Sequence, residues 1–199
     1  MFKTVWRIIK SFFRKTPIVR TTPRPLPDMP RIGFVRGHEA KAQGARMQNG
    51  LFEYGYWGKV LPEVVRRTTK TKEFLRDGTT IRGAIRRALG WKPDILIECH
   101  GNGYDTFVNG AEVLICDNSQ RQIANDLLGA WLVFSNKSNR GVKMKSRGDA
   151  GYASVDEMRR GGVQGCLFEP FFGDNPNDYV EPEIMIEFLV EFVNEMQGV

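Results

Sequence analysis

The residues DILIECHGN at positions 94–102 decide the fold expected for this chain. Residues 94–99 form a short, mostly apolar run of strand length, and the chain then changes abruptly to His100 followed by glycine. Ligands of open α/β sheets gather beyond the carboxyl ends of the strands. We therefore interpret the run as a strand that delivers His100 to a ligand-binding edge of a sheet.

Strands and helices alternate outward from this run in both directions. Further strand candidates cover residues 32–35, 111–116 and 163–168. Helix candidates cover residues 52–67, 81–89, 123–134 and 183–196. An alternation of strands and helices predicts an α/β domain built around a mostly parallel or mixed sheet.

The composition fits one globular domain with a short extension. The 199 residues are 41% hydrophobic and 26% charged, which provides enough apolar sequence to bury a core. A run of about 18 apolar residues does not occur, so we expect no transmembrane helix. Three cysteines are too few, and odd in number, for a disulfide framework.

Residues 1–29 differ from the rest and form a basic segment followed by a Pro-rich linker. Within residues 1–20, apolar residues recur at three- and four-residue spacing with lysines and arginines between them, as in a basic amphipathic helix. Such a helix either packs on the domain or lies on an anionic membrane surface. Charges interrupt the apolar stretch, so no cleavable signal peptide is expected. The folded domain is expected to cover residues 30–199.

Four polar side chains stand where strand candidates end or a helix candidate begins. His38, His100 and Glu169 each follow a strand candidate, and Glu53 lies in the first turn of a helix, where the helix dipole favours a carboxylate. The chain has only two histidines, so any histidine chemistry depends on His38 and His100. We expect the four side chains to converge in one crevice.

Two histidines and a glutamate form a ligand set that suits zinc. Zinc binds nitrogen and oxygen ligands at about 2.0–2.2 Å, and a catalytic site keeps a fourth position for water. A further carboxylate is then needed to take the proton of that water and pass it to the leaving group. The set predicts His38, Glu53 and His100 as ligands and Glu169 as the base, with Glu39 competing with Glu53 as the acidic ligand.

Six segments carry a family resemblance by their order along the chain. They cover residues 30–38, 44–53, 93–102, 110–113 and 140–143, and residues 167–172 with Asn175 and Asp178. The ordered set resembles the zinc-dependent N-acetylmuramoyl-L-alanine amidases of the amidase_3 type. Two positions depart from the family pattern: residues 39–41 replace glycines, and Cys99 replaces serine or alanine.

The resemblance implies a fold, an activity and residue roles. The implied fold is a twisted, mixed, mostly parallel sheet of about six strands flanked by helices. The implied activity is hydrolysis of the amide between N-acetylmuramic acid and L-alanine of peptidoglycan, with Zn²⁺ on His38, Glu53 and His100 and with Glu169 as general base and acid. Residues 165–175 are similar to phage endolysins, which predicts a monomeric lysis enzyme held in the host bacterial cytoplasm until its release to the cell wall.

Five residues near the expected site have two interpretations each. Asn102 and Tyr104 either bind substrate or shape a turn. Glu98 either holds a histidine N–H or forms an ordinary ion pair. Cys99 and Cys166 are interpreted as small buried hydrophobic side chains rather than zinc ligands.

Two other functions compete with the amidase. A zinc peptidase acting on the peptide stem of peptidoglycan would use the same site, and only the products separate the two enzymes. A non-enzymatic basic module for the cell envelope or nucleic acid is suggested by the net charge of +6. The sequence lacks the aromatic-plus-basic motifs of known RNA and DNA modules, so we expect no nucleic-acid partner.

Overall fold

The computed structural model describes residues 25–199, and the segment predicted to form a basic amphipathic helix, residues 1–20, lies outside them. The strands are β1 (Ile32–Arg36), β2 (Thr71–Phe74), β3 (Ile95–Cys99), β4 (Ala111–Ile115), β5 (Asn139–Met144) and β6 (Gln164–Glu169). The helices are α1 (Glu53–Arg67), α2 (Ile81–Gly90), α3 (Arg121–Ser135), α4 (Tyr152–Arg160) and α5 (Pro182–Gln197). None of these helices is both long enough and apolar enough for a membrane span.

The strands form one mixed, mostly parallel sheet of six strands in the order β2-β1-β3-β6-β4-β5. Strands β2, β1, β3 and β6 run parallel to one another, whereas β4 runs antiparallel to β6 and carries β5 parallel to itself. The carboxyl ends of β1, β3 and β6 therefore meet at one edge, beside the amino end of β4. This sheet confirms the predicted fold class.

Helices cover both faces of the sheet. Helices α1, α3 and α5 pack on one face around the larger core cluster, and α2 and α4 pack on the other. The second face, called the α2/α4 face below, receives the strand side chains Leu96, Leu114 and Leu167. Since side chains alternate along a strand, Glu98, Glu112 and Glu169 project from this same face.

Three elements of the structure were missing from the sequence-based prediction: β2, β5 and α4. Strands β2 and β5 are the two edges of the sheet and are only partly buried, so their sequences lack an apolar run. Helix α4 buries three polar residues, Ser154, Asp156 and Glu157, beside only two apolar ones, Val155 and Met158. Ion pairs from α2 hold it, with Arg86 Nε 2.7 Å and Arg82 Nη1 3.0 Å from Glu157. Apolar periodicity cannot reveal such a helix.

The chain after β6 is held by buried hydrogen bonds. The indole Nε1 of Trp131, a fully buried residue of α3, donates to the carbonyl of Pro170 at 2.7 Å. The carboxylate of Asp178 accepts from the backbone N–H of Phe172 at 2.7 Å and from that of Gly110 at 2.9 Å. Removing such a bond would leave a buried polar group unpaired, at a cost of about 1–3 kcal/mol. These bonds fix the position of Glu169 at the end of β6.

Candidate metal centre

His38, Glu53 and His100 meet at the edge of the sheet where β1 and β3 end. His38 Nε2 lies 3.2 Å from Glu53 Oε2, and His100 Nδ1 lies 3.3 Å from the same oxygen. The two imidazole rings pack edge to face with their centroids 4.8 Å apart. One ligand atom from each of the three residues lies within 4.8 Å of the other two.

These distances can be compared with those around a tetrahedral zinc ion. Ligand atoms about 2.0–2.2 Å from one ion lie about 3.3–3.6 Å from each other. The two separations to Glu53 Oε2, 3.2 and 3.3 Å, are close to that range. One carboxylate oxygen and two imidazole nitrogens are also donors that zinc prefers. The three residues therefore fit a zinc ion.

The second nitrogen of each imidazole faces a hydrogen-bond acceptor. His38 Nδ1 is 3.1 Å from the carbonyl oxygen of Ala42, and His100 Nε2 is 2.9 Å from Glu98 Oε1. Each acceptor requires a proton on the nitrogen that it faces, so His38 Nε2 and His100 Nδ1 are the nitrogens left to bind a metal ion. The structure thus places Glu98 against the imidazole of His100.

Glu53 is buried at the start of α1 and is held from the backbone. The N–H of Ala45 donates to its Oε1 at 2.8 Å, and the N–H of Gly101 donates to its Oε2 at 3.1 Å. Burial alone would raise the pKa of Glu53, but hydrogen bonds to His100 and His38 lower it to about 2. The carboxylate is therefore ionised at neutral pH, as a metal ligand must be.

The surroundings of His100 favour its protonated form in the metal-free molecule. Burial alone would lower its pKa, but hydrogen bonds to Glu53 and Glu98 and the nearby charge of Glu169 raise the pKa well above its usual value. A bound cation would replace that proton, because a ligating imidazole nitrogen must be unprotonated. Metal binding is therefore expected to release a proton.

Two glycines leave room for the three candidate ligands. A Cβ atom on Gly37 would lie 2.0 Å from His100 Nε2. A Cβ atom on Gly44 would lie 2.6 Å from His38 Cδ2 and 2.7 Å from Glu53 Oε1, and Gly44 also has a φ of +79°. Only glycine combines this positive φ with so close an approach.

Glu169 ends β6 and lines the same cleft, which has a volume of about 480 Å³. Its Oε2 is buried and has no hydrogen-bond partner within residues 25–199. Burial raises the pKa of Glu169 to about 8, in spite of the opposing charge of His100. A carboxyl group that can hold a proton near neutral pH is suited to general acid–base chemistry.

The raised pKa of Glu169 predicts a pH-dependent stability of the metal-free protein. The folded protein keeps this proton up to about pH 8, whereas the carboxyl has its usual pKa of 4.5 when exposed. The stabilisation is complete below the lower pKa and is lost as the pH rises through the higher one. Gln at position 169 is always neutral, so the melting temperature of E169Q minus that of the parent should grow by roughly 10 °C between about pH 5 and pH 8. Thermal melts in chelator would measure the difference, and a constant difference would contradict the prediction.

The remaining predicted site residues divide into those at the cleft and those away from it. Asn102 lines the cleft. The side chain of Tyr104 is absent from the cleft lining and the residue is 79% exposed, while its backbone N–H donates to Asp174 at 2.9 Å. Glu39, the competing ligand, lies 3.8 Å from Arg76 and is not part of the three-residue group. Substrate binding by Asn102 and Tyr104 stays a prediction.

Cys99 and Cys166 are fully buried in the larger core cluster. Burial raises the pKa of both thiols, which disfavours the thiolate that zinc requires. Neither belongs to the group of candidate metal ligands found among residues 25–199. Their positions agree with the interpretation as small hydrophobic side chains.

Sequence reasoning missed the backbone groups of the site. The carbonyl of Ala42 and the N–H groups of Ala45 and Gly101 orient the histidines and Glu53. Any residue type supplies these groups, so the sequence carries no direct signal for them. Gly44 is an indirect signal, since its positive φ shapes the loop that presents Ala42 and Ala45.

Known proteins match this chain in structure, whereas no protein-family model and no curated protein matches it. The catalytic domain of CwlV, an N-acetylmuramoyl-L-alanine amidase from Bacillus (Paenibacillus) polymyxa var. colistinus, is similar with a TM-score of 0.68 and 15% identity over 84% of this chain and 98% of that one. The N-acetylmuramoyl-L-alanine amidase AmiC2 of Nostoc punctiforme has a TM-score of 0.67 and 17% identity over 88% of this chain and 100% of that one. The catalytic domain of the CD27L endolysin, which targets Clostridia difficile, has a TM-score of 0.62 and 22% identity over 83% of this chain and 97% of that one.

These similarities identify the fold. The described chain has the α/β fold of these catalytic domains. The architecture implied by the sequence resemblance is therefore confirmed.

Removal of the Glu98 carboxylate is expected to weaken zinc binding without removing a ligand. Glu98→Ala removes the hydrogen-bond acceptor of His100 Nε2, so the imidazole ring is no longer held in one orientation. The loss of such a supporting carboxylate typically costs about 10–100-fold in metal affinity. Competition with a chromogenic chelator would measure the dissociation constant. Glu187→Ala, which removes a surface glutamate paired with Arg67, is the control that keeps the parent affinity. An unchanged affinity in E98A would contradict the prediction.

Proposed function

We propose that this protein is a zinc-dependent N-acetylmuramoyl-L-alanine amidase, which hydrolyses the amide bond between N-acetylmuramic acid and L-alanine in peptidoglycan. The observation that carries the proposal is the meeting of His38, Glu53 and His100 in one cleft with Glu169. The fold supports it, because solved structures that share this fold are amidase catalytic domains.

The residues of the chain divide the chemistry among them. When bound to His38, Glu53 and His100, zinc would lower the pKa of a water molecule and polarise the carbonyl of the scissile amide. Glu169 takes the proton of the attacking water and delivers it to the leaving amine of L-alanine. Burial of its Oε2 raises the pKa of this carboxyl group to about 8, so it can hold the proton until the second transfer. Glu98 keeps the imidazole of His100 in the required orientation.

Digestion of purified sacculi tests the reaction and separates it from stem-peptide cleavage. We expect the zinc-loaded protein to release intact stem peptides that begin with L-alanine, as judged by mass spectrometry. A chelator should abolish the release, and added zinc should restore it. Shortened stems would indicate the peptidase instead, and full activity in excess chelator would contradict the proposed use of zinc.

A role as a phage endolysin is the biological setting that we propose. The similarity to the CD27L endolysin domain supports it, as do residues 165–175, which are similar to phage endolysins. The enzyme would stay in the host bacterial cytoplasm until it is released to the cell wall. Expression inside bacteria should therefore cause lysis only after the membrane is permeabilised, as followed by culture turbidity. Rapid lysis with an intact membrane would contradict this setting.

Residues 1–20 are proposed to bind an anionic membrane surface. Their alternation of apolar and basic residues supports this. In such segments, burial of apolar side chains and attraction to anionic lipids both contribute to the free energy of membrane binding. The full chain should co-sediment with anionic liposomes, and a truncated chain beginning at residue 30 should stay in the supernatant. Equal behaviour of the two chains would remove the proposal.

A further inference from the structure

The cleft continues beyond the candidate metal ligands along the α2/α4 face of the sheet. Past Glu169, its lining includes Leu114 and Leu167 from the sheet. Lys145 and four residues around the start of α4 also line this part: Ala150, Gly151, Ala153 and Ser154. The roles proposed for zinc and Glu169 do not use it, so it is available to another part of the substrate.

The amino terminus of α4 opens onto this part of the cleft. Ala153 and Ser154 line the cleft, and their backbone N–H groups have no backbone acceptor in the described chain. Gly151, which precedes the helix with a φ of 82°, provides no side-chain cap. Uncapped N–H groups at the start of a helix attract an anion.

Ser154 adds an independent observation. It is only 3% exposed although it lines the cleft, and its hydroxyl group has no hydrogen-bond partner among the residues that the structure describes. The hydroxyl group is therefore free to hydrogen-bond to a group that occupies the cleft. A ligand atom in the cleft would satisfy it.

Lys145 provides the charge for such a ligand. It follows β5, and two other cations of that strand, Arg140 and Lys143, both pair with Glu112. No carboxylate of residues 25–199 lies within ion-pair distance of Lys145. Its ammonium group is therefore available to an anion in the cleft, while the charge of Glu112 is already compensated.

We propose that Lys145, Ser154 and the amino terminus of α4 form a subsite for a carboxylate of the substrate. The inference rests on the proposed function, which places a peptide stem in the cleft. The glycan near the scissile amide carries hydroxyl and acetamido groups, whereas free carboxylates occur along the stem. A carboxylate can accept several hydrogen bonds at once. The subsite offers four donors: two backbone N–H groups, the hydroxyl of Ser154 and the ammonium of Lys145. The subsite therefore binds the stem peptide downstream of L-alanine.

A pair of soluble substrates tests the subsite. One is N-acetylmuramoyl-L-alanyl-D-glutamate with both carboxylates free, and the other is its diamide. We expect the zinc-loaded full chain to favour the free acid by about tenfold in kcat/KM, since a charge-assisted hydrogen bond is worth about that factor. Lys145→Met should bring the ratio close to one, Ser154→Ala should lower it, and Lys145→Arg should keep most of it. Lys59→Met, which removes an exposed lysine of α1, is the matched control that keeps the parent ratio.

The outcomes separate the subsite from the reaction. Equal kcat/KM values for acid and diamide in the parent protein would overturn the subsite and leave the amidase intact. If neither substrate is hydrolysed, the proposed function fails, and calorimetric binding of the two molecules then decides the subsite. Tighter binding of the acid that is lost in K145M would support the subsite, and equal binding would overturn it.

Discussion

Glu169→Gln is expected to abolish peptidoglycan hydrolysis while leaving zinc bound. The amide has nearly the shape of the carboxylate but cannot take a proton from water, and general acid–base catalysis contributes about 10²–10⁴-fold. We therefore expect kcat to fall by about 10³-fold. Glu169 is not among the three candidate ligands, so zinc per chain should equal that of the parent. Elemental analysis and the release of stem peptides from sacculi measure the two quantities on the same preparation.

A surface variant provides the control, and two results would contradict the role proposed for Glu169. Glu187→Gln makes the same chemical change on the surface of α5, where the side chain pairs with Arg67, and should keep both zinc and activity. Hydrolysis at the parent rate by E169Q would mean that another group is the base. Loss of zinc from E169Q would mean that Glu169 acts as a ligand.

Much of the central fold could be predicted from the sequence because its strands are buried. The central strands β1, β3 and β6 are short apolar runs, and each is followed by a polar residue that breaks the pattern: His38, His100 and Glu169. The carboxyl ends of parallel neighbours meet at one edge, so the approach of these residues followed from the fold class. Glu53 needed the resemblance, because Glu39 fitted the residue pattern as well.

The part of the cleft beyond Glu169 could not be predicted for a physical reason. Lys145 follows an edge strand, and Ser154 lies on α4, a helix that buries more polar than apolar side chains. Hydrophobic periodicity reveals neither element, so the residues that they bring to the cleft had no predicted position. Sequence patterns located the end of the cleft with the candidate metal ligands and missed the end that we propose for substrate recognition.

The loop after β3 shows a second limit of sequence reasoning. Tyr104 lies shortly after His100 in the sequence, and this position suggested substrate binding. Its side chain, however, lies outside the cleft lining. Asp174 fixes this loop by accepting from the N–H groups of Tyr104 and Thr106 at 2.9 and 3.2 Å. Asn175 Nδ2 donates to the carbonyl of Phe107 at 3.1 Å. Residues from the segment after β6 therefore set the loop conformation, and such long-range partners have no local signal.

Gly37→Ala is expected to destroy zinc binding by a steric effect on His100. The added Cβ would lie 2.0 Å from His100 Nε2 and 2.2 Å from Cε1, so either the ring or the backbone must move. The backbone is held, since the N–H of Gly37 donates to the carbonyl of Cys99 at 3.2 Å in the sheet. The ring would therefore leave Glu98 and Glu53, and we expect zinc affinity to fall by about 100-fold or more, with hydrolysis falling alongside.

The matched control for this steric argument is Gly90→Ala. A Cβ on Gly90, the last residue of α2, would meet nothing within 4 Å, so this variant should bind zinc and hydrolyse peptidoglycan like the parent. Circular dichroism should show the parent's secondary structure in both variants, because the clash at Gly37 is with a side chain at the edge of the sheet. Parent-like zinc affinity in a folded G37A protein would mean that the ring of His100 can move without leaving the metal. In that case the contact between the His100 ring and Glu98 would not be required for zinc binding.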